Sequence, residues 1–231
     1  MLIVVMYQNK NLKILNADCM DIMKEYEDDY FDLAIIDPPY GIREQGGKNR
    51  KGYSKAWKNQ KEKNYIKKDW DNKPETKEYF TELKRISKNQ VIWGANHFIE
   101  NIQNANSSCW VCWYKAGQNP NSDFSKCELA YTSFKKGAKY FKYDWTGFGA
   151  VNNKEERIHP TQKPVQLYNF LLKEFSNKED KIIDTHLGSG SSAIASYYFG
   201  CKEFVGIEID QDYYNDSIKR IKQQTAQIKI F

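Results

Sequence analysis

Short apolar runs recur along most of the chain. Runs of strand length lie at 12–18, 31–37, 90–95, 109–114, 128–134, 181–185 and 203–209. Several of them are continuously hydrophobic, a pattern typical of strands that are buried on both faces. The N-terminal stretch MLIVVMY predicts one more short strand.

Amphipathic segments with helical periodicity lie between these runs, at 74–88, 164–176 and 210–224. In the first of them, Tyr79, Phe80, Leu83 and Ile86 recur at the spacing of one helix face. Strands that alternate with helices predict an α/β protein with a mainly parallel sheet and helices on both faces. The chain has 231 residues, of which 40% are hydrophobic, so we expect a single domain over 1–231.

The segment 41–72 breaks the alternation, because it is polar, rich in glycine and lysine, and without a clear period. Its residues 41–70 include ten Lys or Arg and three acidic residues, a net charge of +7, whereas the whole chain carries +5. The basic character is therefore local, which favours a polyanionic partner. Because long loops in compact domains are usually functional or disordered, we expect a mobile loop insertion at 41–72.

Cysteine usage and the N-terminus indicate the compartment. The five cysteines are scattered through apolar segments, and MLIVVMY lacks the basic region and cleavage site of a signal peptide. No run approaches membrane-spanning length. Cys109 and Cys112 form a CxxC without a second pair at zinc spacing, so we interpret them as buried thiols and predict no metal site. We expect a reduced, cytoplasmic protein that does not associate with membranes.

One apolar run ends in IIDPPYG, residues 35–41. Pro38 and Pro39 fix φ and lack N–H donors, so they stop the strand and make a rigid turn. The turn presents the carboxylate of Asp37, a proline carbonyl and the ring of Tyr40. Two acceptors beside a flat ring suit the exocyclic amino group of a planar base.

A glycine turn follows another strand. In THLGSGSSA, which comes after Asp184, Gly188, Gly190 and Ala193 satisfy G-x-G-x-x-A, and Glu208 ends the next strand. Glycines permit close backbone approach and a carboxylate accepts from ribose hydroxyls, so this arrangement predicts a nucleoside cofactor. Acids at strand ends suit a cationic cofactor such as S-adenosylmethionine better than a diphosphate. These acids are Asp18, Asp37, Asp184 and Glu208.

Together, Asp37-Pro38-Pro39-Tyr40 and Gly188-Ser189-Gly190 make the sequence resemble the DNA amino-methyltransferases, which methylate adenine N6 or cytosine N4 with S-adenosylmethionine. HPTQKP (159–164) precedes the glycine turn, and NADCMDIM (16–23) precedes DPPY. This order resembles the β group of the family. It implies a Rossmann-like methyltransferase fold with a circularly permuted motif order, in which the catalytic half comes first.

The resemblance implies roles for the matching residues. Asp37 and the carbonyl of Pro38 would accept hydrogen bonds from the target amino group, within the rigid turn that Pro39 completes. Tyr40 would stack on the flipped base. The residues implied around the cofactor are Asp18, Cys19, Asp37, Lys163, Asp184, His186, Gly188, Ser189, Gly190 and Glu208.

Within that cofactor set, Glu208 would hold the ribose, Asp18 with Cys19 the adenine, and Lys163 the methionine carboxylate. The family's glycine loop usually reads D-P-F-x-G-S-G-T, and here His186 stands where that pattern has Phe. We interpret His186 as a packing residue. We expect it to be neutral when cofactor is bound, because a cation there would repel the sulfonium.

The sequence therefore predicts a site-specific DNA methyltransferase of a restriction-modification type, which methylates adenine N6 in duplex DNA by base flipping. Adenine is favoured because, in this group, an initial Asp in the motif is found more often with adenine. A cytosine-N4 enzyme is the closest alternative. An NAD-dependent oxidoreductase and an inactive DNA-binding protein are the remote ones.

The predicted partner is double-stranded DNA, with a homodimer and a cognate restriction endonuclease as further candidates. A second basic and aromatic stretch lies at 133–145, and we take 135–158 as a short candidate target-recognition region. We expect DNA phosphates to contact the cations of the 41–72 loop. These are Arg43, Lys48, Arg50, Lys51, Lys55 and Lys58.

Overall fold

A computed structural model describes residues 5–42, 73–116, 125–145 and 157–226. Its strands are β1 Val5–Asn9, β2 Leu12–Asn16, β3 Phe31–Ile36, β4 Ser87–Trp93, β5 Trp110–Ala116, β6 Cys127–Thr132, β7 Lys139–Asp144, β8 Lys181–Asp184 and β9 Glu203–Glu208. Its helices are α1 Cys19–Met23, α2 Lys77–Ile86, α3 Val165–Phe175, α4 Ser191–Phe199 and α5 Gln211–Ala226. Two short 3-10 turns, Ala95–His97 and Ile99–Asn101, follow β4.

The strands form one sheet in the order β1-β2-β9-β8-β3-β4-β6-β5-β7. Strands β2, β9, β8, β3 and β4 run parallel to one another, while β6 is antiparallel to both of its neighbours. β1 pairs antiparallel with β2, and β7 pairs parallel with β5. The mainly parallel sheet confirms the predicted α/β architecture.

Helices cover both faces of this sheet, as predicted. Leu33 and Ile35 of β3 pack with residues of α3, α4 and α5, whereas Ala34 and Ile36 pack with residues of α1 and α2. Successive residues of a strand point to opposite faces, so a strand covered on both sides is apolar along its buried part, as β3 is from Leu33 to Ile36. Each fully buried aliphatic side chain of this kind stabilises the fold by about 1.5–3 kcal/mol.

The boundary between α2 and β4 differs from the predicted one. The helical pattern extended over 74–88, but α2 begins after Thr76, whose side chain accepts from the amide of Tyr79, and it ends at Ile86. Ser87 has extended φ and ψ of −133° and 130° and is already the first residue of β4. The predicted strand at 90–95 therefore starts earlier than expected, and it ends at Trp93.

β7 was not predicted as a strand. Its residues alternate between half-buried and exposed, and Phe141 and Tyr143 pack against the core on one side. It covers the first part of the region 135–158, whose residues 146–156 lie outside the described residues. Target recognition by that region stays a prediction.

The predicted loop 41–72 lies outside the described residues beyond Ile42, and so do its six candidate DNA contacts, Arg43, Lys48, Arg50, Lys51, Lys55 and Lys58.

The cysteines are free thiols; Cys109 is buried, and Cys112 is half-buried. No helix in the described ranges is both long enough and apolar enough to cross a bilayer.

Candidate active site

The acids predicted at strand ends lie along one edge of the sheet. Asp37 follows β3 and Asp184 ends β8, and these two strands are parallel neighbours with Ala34 opposite Ile183. Glu208 ends β9 beside β8, and Asp18 follows β2 beside β9. Because neighbouring strands lie only about 4.8 Å apart, the four strand ends are contiguous.

Both oxygens of Asp37 contact protein donors. The Tyr40 hydroxyl donates to Oδ1 over 2.7 Å, and the Lys163 ammonium lies 2.5 Å from Oδ2. Lys163 Nζ also donates to the Tyr40 hydroxyl over 3.2 Å. The resemblance assigned Lys163 to a cofactor carboxylate, but here its nearest carboxylate is Asp37.

Lys163 lies between two carboxylates. Its side chain is only 4% exposed, and its ammonium is 3.2 Å from Oε2 of Glu128 as well as close to Asp37. Burial by itself would lower the pKa of Lys163, but Asp37 and Glu128 outweigh it and raise that pKa. Glu128 in turn forms an ion pair with Lys115. Burial would raise the pKa of Glu128, but Lys163 and Lys115 lower it to about 2.

The ring of Tyr40 is held by the chain that follows β4. It stacks on the exposed ring of His97, with 5.2 Å between centroids and 15° between planes. A Cβ on Gly94 would lie 2.1 Å from the Tyr40 ring, so only glycine permits this approach. Pro38 is buried and Pro39 is half-buried beside this ring.

The glycine turn has the conformation that its sequence suggested. Gly188 and Gly190 have φ of 52° and 75°, in the left-handed region that favours glycine. Glu208 accepts through Oε2 from the amide of Gly188 over 2.8 Å, and through Oε1 from the amide of Asp210 over 2.9 Å. Burial raises the pKa of Glu208, and these two amides only partly offset that effect.

A buried arginine fixes the glycine turn relative to Lys163. The Arg220 guanidinium donates to the carbonyl of Ser189 over 2.7 Å and to the hydroxyl of Ser191 over 2.9 Å. That hydroxyl donates to the carbonyl of Lys163 over 2.7 Å. Since the Lys163 side chain contacts Asp37, the DPPY turn and the glycine turn are joined by one short chain of contacts.

Asp184 is the most deeply buried of the four acids, at 1% exposure. Its carboxylate accepts from the hydroxyl of Ser192 over 2.5 Å and from the amide of His186 over 3.0 Å. Burial nevertheless raises its pKa to about 6. A positive charge near this carboxylate would offset the cost of its ionisation.

His186 has a partner that the sequence did not reveal. Its Nε2 lies 3.2 Å from Oε1 of Glu75, and its Nδ1 lies 3.0 Å from the Thr185 hydroxyl. Burial lowers the pKa of His186, but Glu75, Asp184 and Glu208 together raise it more, so this pKa lies above its ordinary value. The ring also meets Tyr79 edge-on, so His186 does more than pack. Its predicted neutrality concerns the cofactor complex and stays a prediction.

Asp18 and Cys19 lie at the start of α1. Asp18 is exposed, and its Oδ1 accepts from the amide of Met20 over 2.8 Å, which caps the helix. Burial, with the nearby carboxylates of Glu75 and Asp18, raises the pKa of Cys19, so its thiol keeps the proton at neutral pH. The amide of Ala17 donates to the carbonyl of Glu208, which ties this end of β2 to β9.

Several residues of the site were missed from the sequence. Glu75, Lys115, Glu128 and Arg220 each lie outside the two recognised motifs. The one local signal was at Glu128, a carboxylate at the start of an apolar strand, as unusual there as Asp37 is at the end of one.

Comparisons with known proteins agree on one family. The sequence model of a family described as DNA methylase matches residues 97–219. The type II methyltransferase M2.MboI of Moraxella bovis is 26% identical, with 96% of this chain and 91% of that protein aligned. The structure of an M1.HpyAVI–SAM complex superposes with a TM-score of 0.57 at 18% identity, covering 91% of this chain and 98% of that one. The cytosine-N4-specific PvuII DNA methyltransferase gives a TM-score of 0.60 at 11% identity, over 95% of this chain and 92% of that one.

Proposed function

Since the chain belongs to the DNA methylase family, we propose that it transfers a methyl group from S-adenosylmethionine to the N6 amino group of adenine in duplex DNA. One observation carries the proposal. The Asp37-Pro38-Pro39-Tyr40 turn and the Gly188–Gly190 turn lie at neighbouring strand ends and are linked through Lys163. An acceptor for an amino group and a turn for a nucleoside cofactor therefore share one edge of the sheet.

The residues at the glycine turn fit S-adenosylmethionine, which supplies an electrophilic methyl group on a sulfonium cation. Asp184 and Glu208 are buried carboxylates whose pKa values are raised by burial, so a cation beside them is favourable. Gly188 is not crowded, since the nearest atoms that a Cβ there would meet belong to the His159 ring, at 3.9 Å. The residues proposed to hold the cofactor are Asp18, Cys19, Asp184, Gly188, Ser189, Gly190 and Glu208.

Asp37 and the Pro38 carbonyl are proposed to act on the target amino group. The amino lone pair is delocalised into the base, so the nitrogen is a poor nucleophile. Two acceptors aimed at its N–H bonds favour a pyramidal nitrogen and stabilise the positive charge that develops as the N–C bond forms. The surplus proton leaves afterwards to water, and no covalent enzyme intermediate is needed.

Tyr40 is proposed to receive the extruded base. Extrusion from the duplex costs a few kcal/mol, and stacking on an aromatic ring returns about 1–3 kcal/mol. We assign the rest of the free energy needed for extrusion to phosphate contacts made by the basic segment 41–72. Double-stranded DNA is thus the proposed partner, and a homodimer and a cognate restriction endonuclease stay predictions.

Adenine is proposed over cytosine because the motif begins with Asp37. The likeness to the cytosine-N4-specific PvuII enzyme is at 11% identity and bears on the fold alone. Mass analysis of nucleosides from DNA treated with the protein separates the two. We expect N6-methyladenine; N4-methylcytosine instead would overturn the choice of base but not the reaction.

Replacing Asp37 by Ala tests the catalytic assignment. Loss of the carboxylate removes the main stabilisation of the charged nitrogen, so methylation should fall by about 10²–10³-fold. Cofactor binding, followed by calorimetry, should persist. The exposed Asp28, which pairs with Arg85 on the opposite edge of the sheet, supplies the matched control Asp28→Ala. Full methylation by Asp37→Ala would refute the assignment.

A further inference from the structure

The carboxylate of Asp37 already has a counterion in this structure. The Lys163 ammonium lies 2.5 Å from Oδ2, so the two side chains form a neutral pair in a site where Lys163 is 4% exposed and Asp37 15% exposed. Close ion pairs away from water interact strongly, because solvent screens them little. The field that Asp37 presents to a neighbouring group is therefore much weaker than that of a free carboxylate.

A neutral pair is a poor partner for the reaction proposed above. The target nitrogen gains positive charge in the transition state, and it is stabilised only by groups whose negative charge is available to it. With Lys163 at Oδ2, an ammonium would lie next to that developing charge. Lys163 must therefore leave Asp37 for the carboxylate to act.

A second carboxylate is already in reach of Lys163. Glu128 Oε2 lies 3.2 Å from the ammonium, so a small rotation of the lysine side chain transfers its ion pair from one acid to the other. Lys115 binds the other oxygen of Glu128 and holds that carboxylate in place. Glu128 and Lys115 lie on β6 and β5, with Glu128 opposite Trp113 in the sheet, so both are anchored by rigid strands.

We propose that Lys163 is a movable counterion of Asp37, and that Glu128 is the positioning residue that receives it when the target base engages Asp37. Without substrate, the ammonium of Lys163 compensates the negative charge of Asp37 in the buried site. With substrate, Lys163 pairs with Glu128 and the charge of Asp37 becomes available. This inference rests on the proposed function, because it concerns the same amino acceptor.

Glu128→Gln tests the proposal, since glutamine keeps the shape and removes the charge. Lys163 should then stay on Asp37, and the single-turnover methylation rate should fall about 10-fold, while the dissociation constant for S-adenosylmethionine is unchanged. Glu128→Asp should recover part of the rate because it restores a carboxylate. Glu174→Gln, which breaks the half-buried Lys139–Glu174 pair, is the control and should keep the wild-type rate.

A double-mutant cycle separates this role from a purely structural one. In a Lys163→Met background there is no ammonium to retain, so Glu128→Gln should cause no further loss of rate. An equal loss in both backgrounds, or full activity of Glu128→Gln, would overturn the proposal. Thermal unfolding of each variant identifies any that fail to fold. If a variant fails to fold, the ¹⁵Nζ resonance of Lys163 in the wild-type protein tests the proposal instead. It should shift on addition of substrate duplex, and an unchanged resonance would also overturn the proposal.

The outcomes for the two proposals are distinguishable. If the wild type does not methylate DNA, the proposed function itself fails. If the wild type methylates DNA but the cycle shows no coupling between Glu128 and Lys163, the counterion proposal alone fails.

Discussion

Gly94 leaves the room in which the Tyr40 ring lies. Its φ of 67° is in the left-handed region, and a Cβ at this position would lie 2.1 to 2.5 Å from three atoms of the ring. The tyrosine that we propose as the stacking platform is thus positioned by a glycine on the neighbouring strand end.

Gly94→Ala should therefore displace Tyr40. We expect methylation to fall strongly and the free energy of unfolding to drop by more than the roughly 1–2 kcal/mol that a left-handed alanine costs. Gly200→Ala is the matched control, because Gly200 has φ of 75° but a Cβ there would meet nothing within 4 Å. Urea unfolding and methylation assays on both variants check the prediction; equal effects of the two substitutions would contradict it.

Among individual residues, the sequence revealed those whose role follows from the chemistry of their immediate neighbours in the chain. Asp37 and Tyr40 stand out because two prolines end a strand beside them, and Gly188 and Gly190 because a tight turn needs glycine. Glu75 carried no local signal, and Glu128 carried only that of a carboxylate at the start of an apolar strand. Their partners, His186 and Lys163, are far away in sequence, and only the fold brings each pair together.

The start of α2 is tied to the end of β8 by an ion pair. Glu75 immediately precedes the capping residue Thr76, and His186 follows β8, with 3.2 Å between Oε1 and Nε2. Asp184 and Glu208 also favour the charged imidazole, whereas burial disfavours it. The pKa of His186 is raised above 6.5, with Glu75 as the main favourable contact, and His186 lowers the pKa of Glu75 below 4.5.

These shifts give a pH dependence of stability. A raised histidine pKa contributes stability that is fully present below pH 6.5 and is lost as pH rises through the folded-state value. A lowered glutamate pKa contributes stability above pH 4.5 that is lost only at lower pH. The pair therefore stabilises the fold most between pH 4.5 and 6.5.

His186→Phe, which restores the family's usual residue, should remove this dependence. Relative to the variant, the wild type should lose unfolding free energy as the pH rises from 6 to 8.5, as measured by urea unfolding. In a Glu75→Gln background, the same substitution should produce a smaller loss of stability towards high pH, because the carboxylate that contacts the imidazole is gone. Parallel stability curves for the wild type and His186→Phe would contradict the assignment.

Whole elements were predicted where the apolar pattern was strong. The runs at 31–37 and 203–209 match β3 and β9 closely, because both strands are buried on two faces. β7 was missed, since an edge strand that exposes every second residue lacks such a run. The early end of α2 at Ile86 was also missed. The chain changes from helix to strand after Ile86 because β4 pairs with β3, and the local periodicity contains no information about that pairing.

Charge is divided between two parts of the molecule. The edge of the sheet carries Asp18, Asp37, Asp184 and Glu208, whereas residues 41–70 carry a net +7. The acids suit a cationic cofactor and an amino group, and the basic segment suits phosphates. We therefore expect DNA affinity to depend on the segment far more than on the net charge of +5.

Charge reversal in the segment tests this division. With Lys48, Arg50 and Lys51 changed to Glu, binding to all DNA sequences should weaken, and the slope of log affinity against log salt should fall by about 3. The matched control reverses three exposed lysines that lead into the amino ends of strands, Lys84, Lys178 and Lys202. Equal losses in both triple variants, measured by fluorescence anisotropy, would show that only overall charge matters.

The segments 43–72, 117–124 and 146–156 join the described fold at related places. They follow β3, β5 and β7, three strands that point the same way, so each departs from the edge that carries Asp37. Under the proposed function, insertions or exchanges at these three joints change the chain that departs beside Asp37 and leave the hydrogen-bonded strands unchanged. We therefore expect a lineage to acquire a new recognition sequence by exchanging these segments, without having to evolve a new catalytic scaffold.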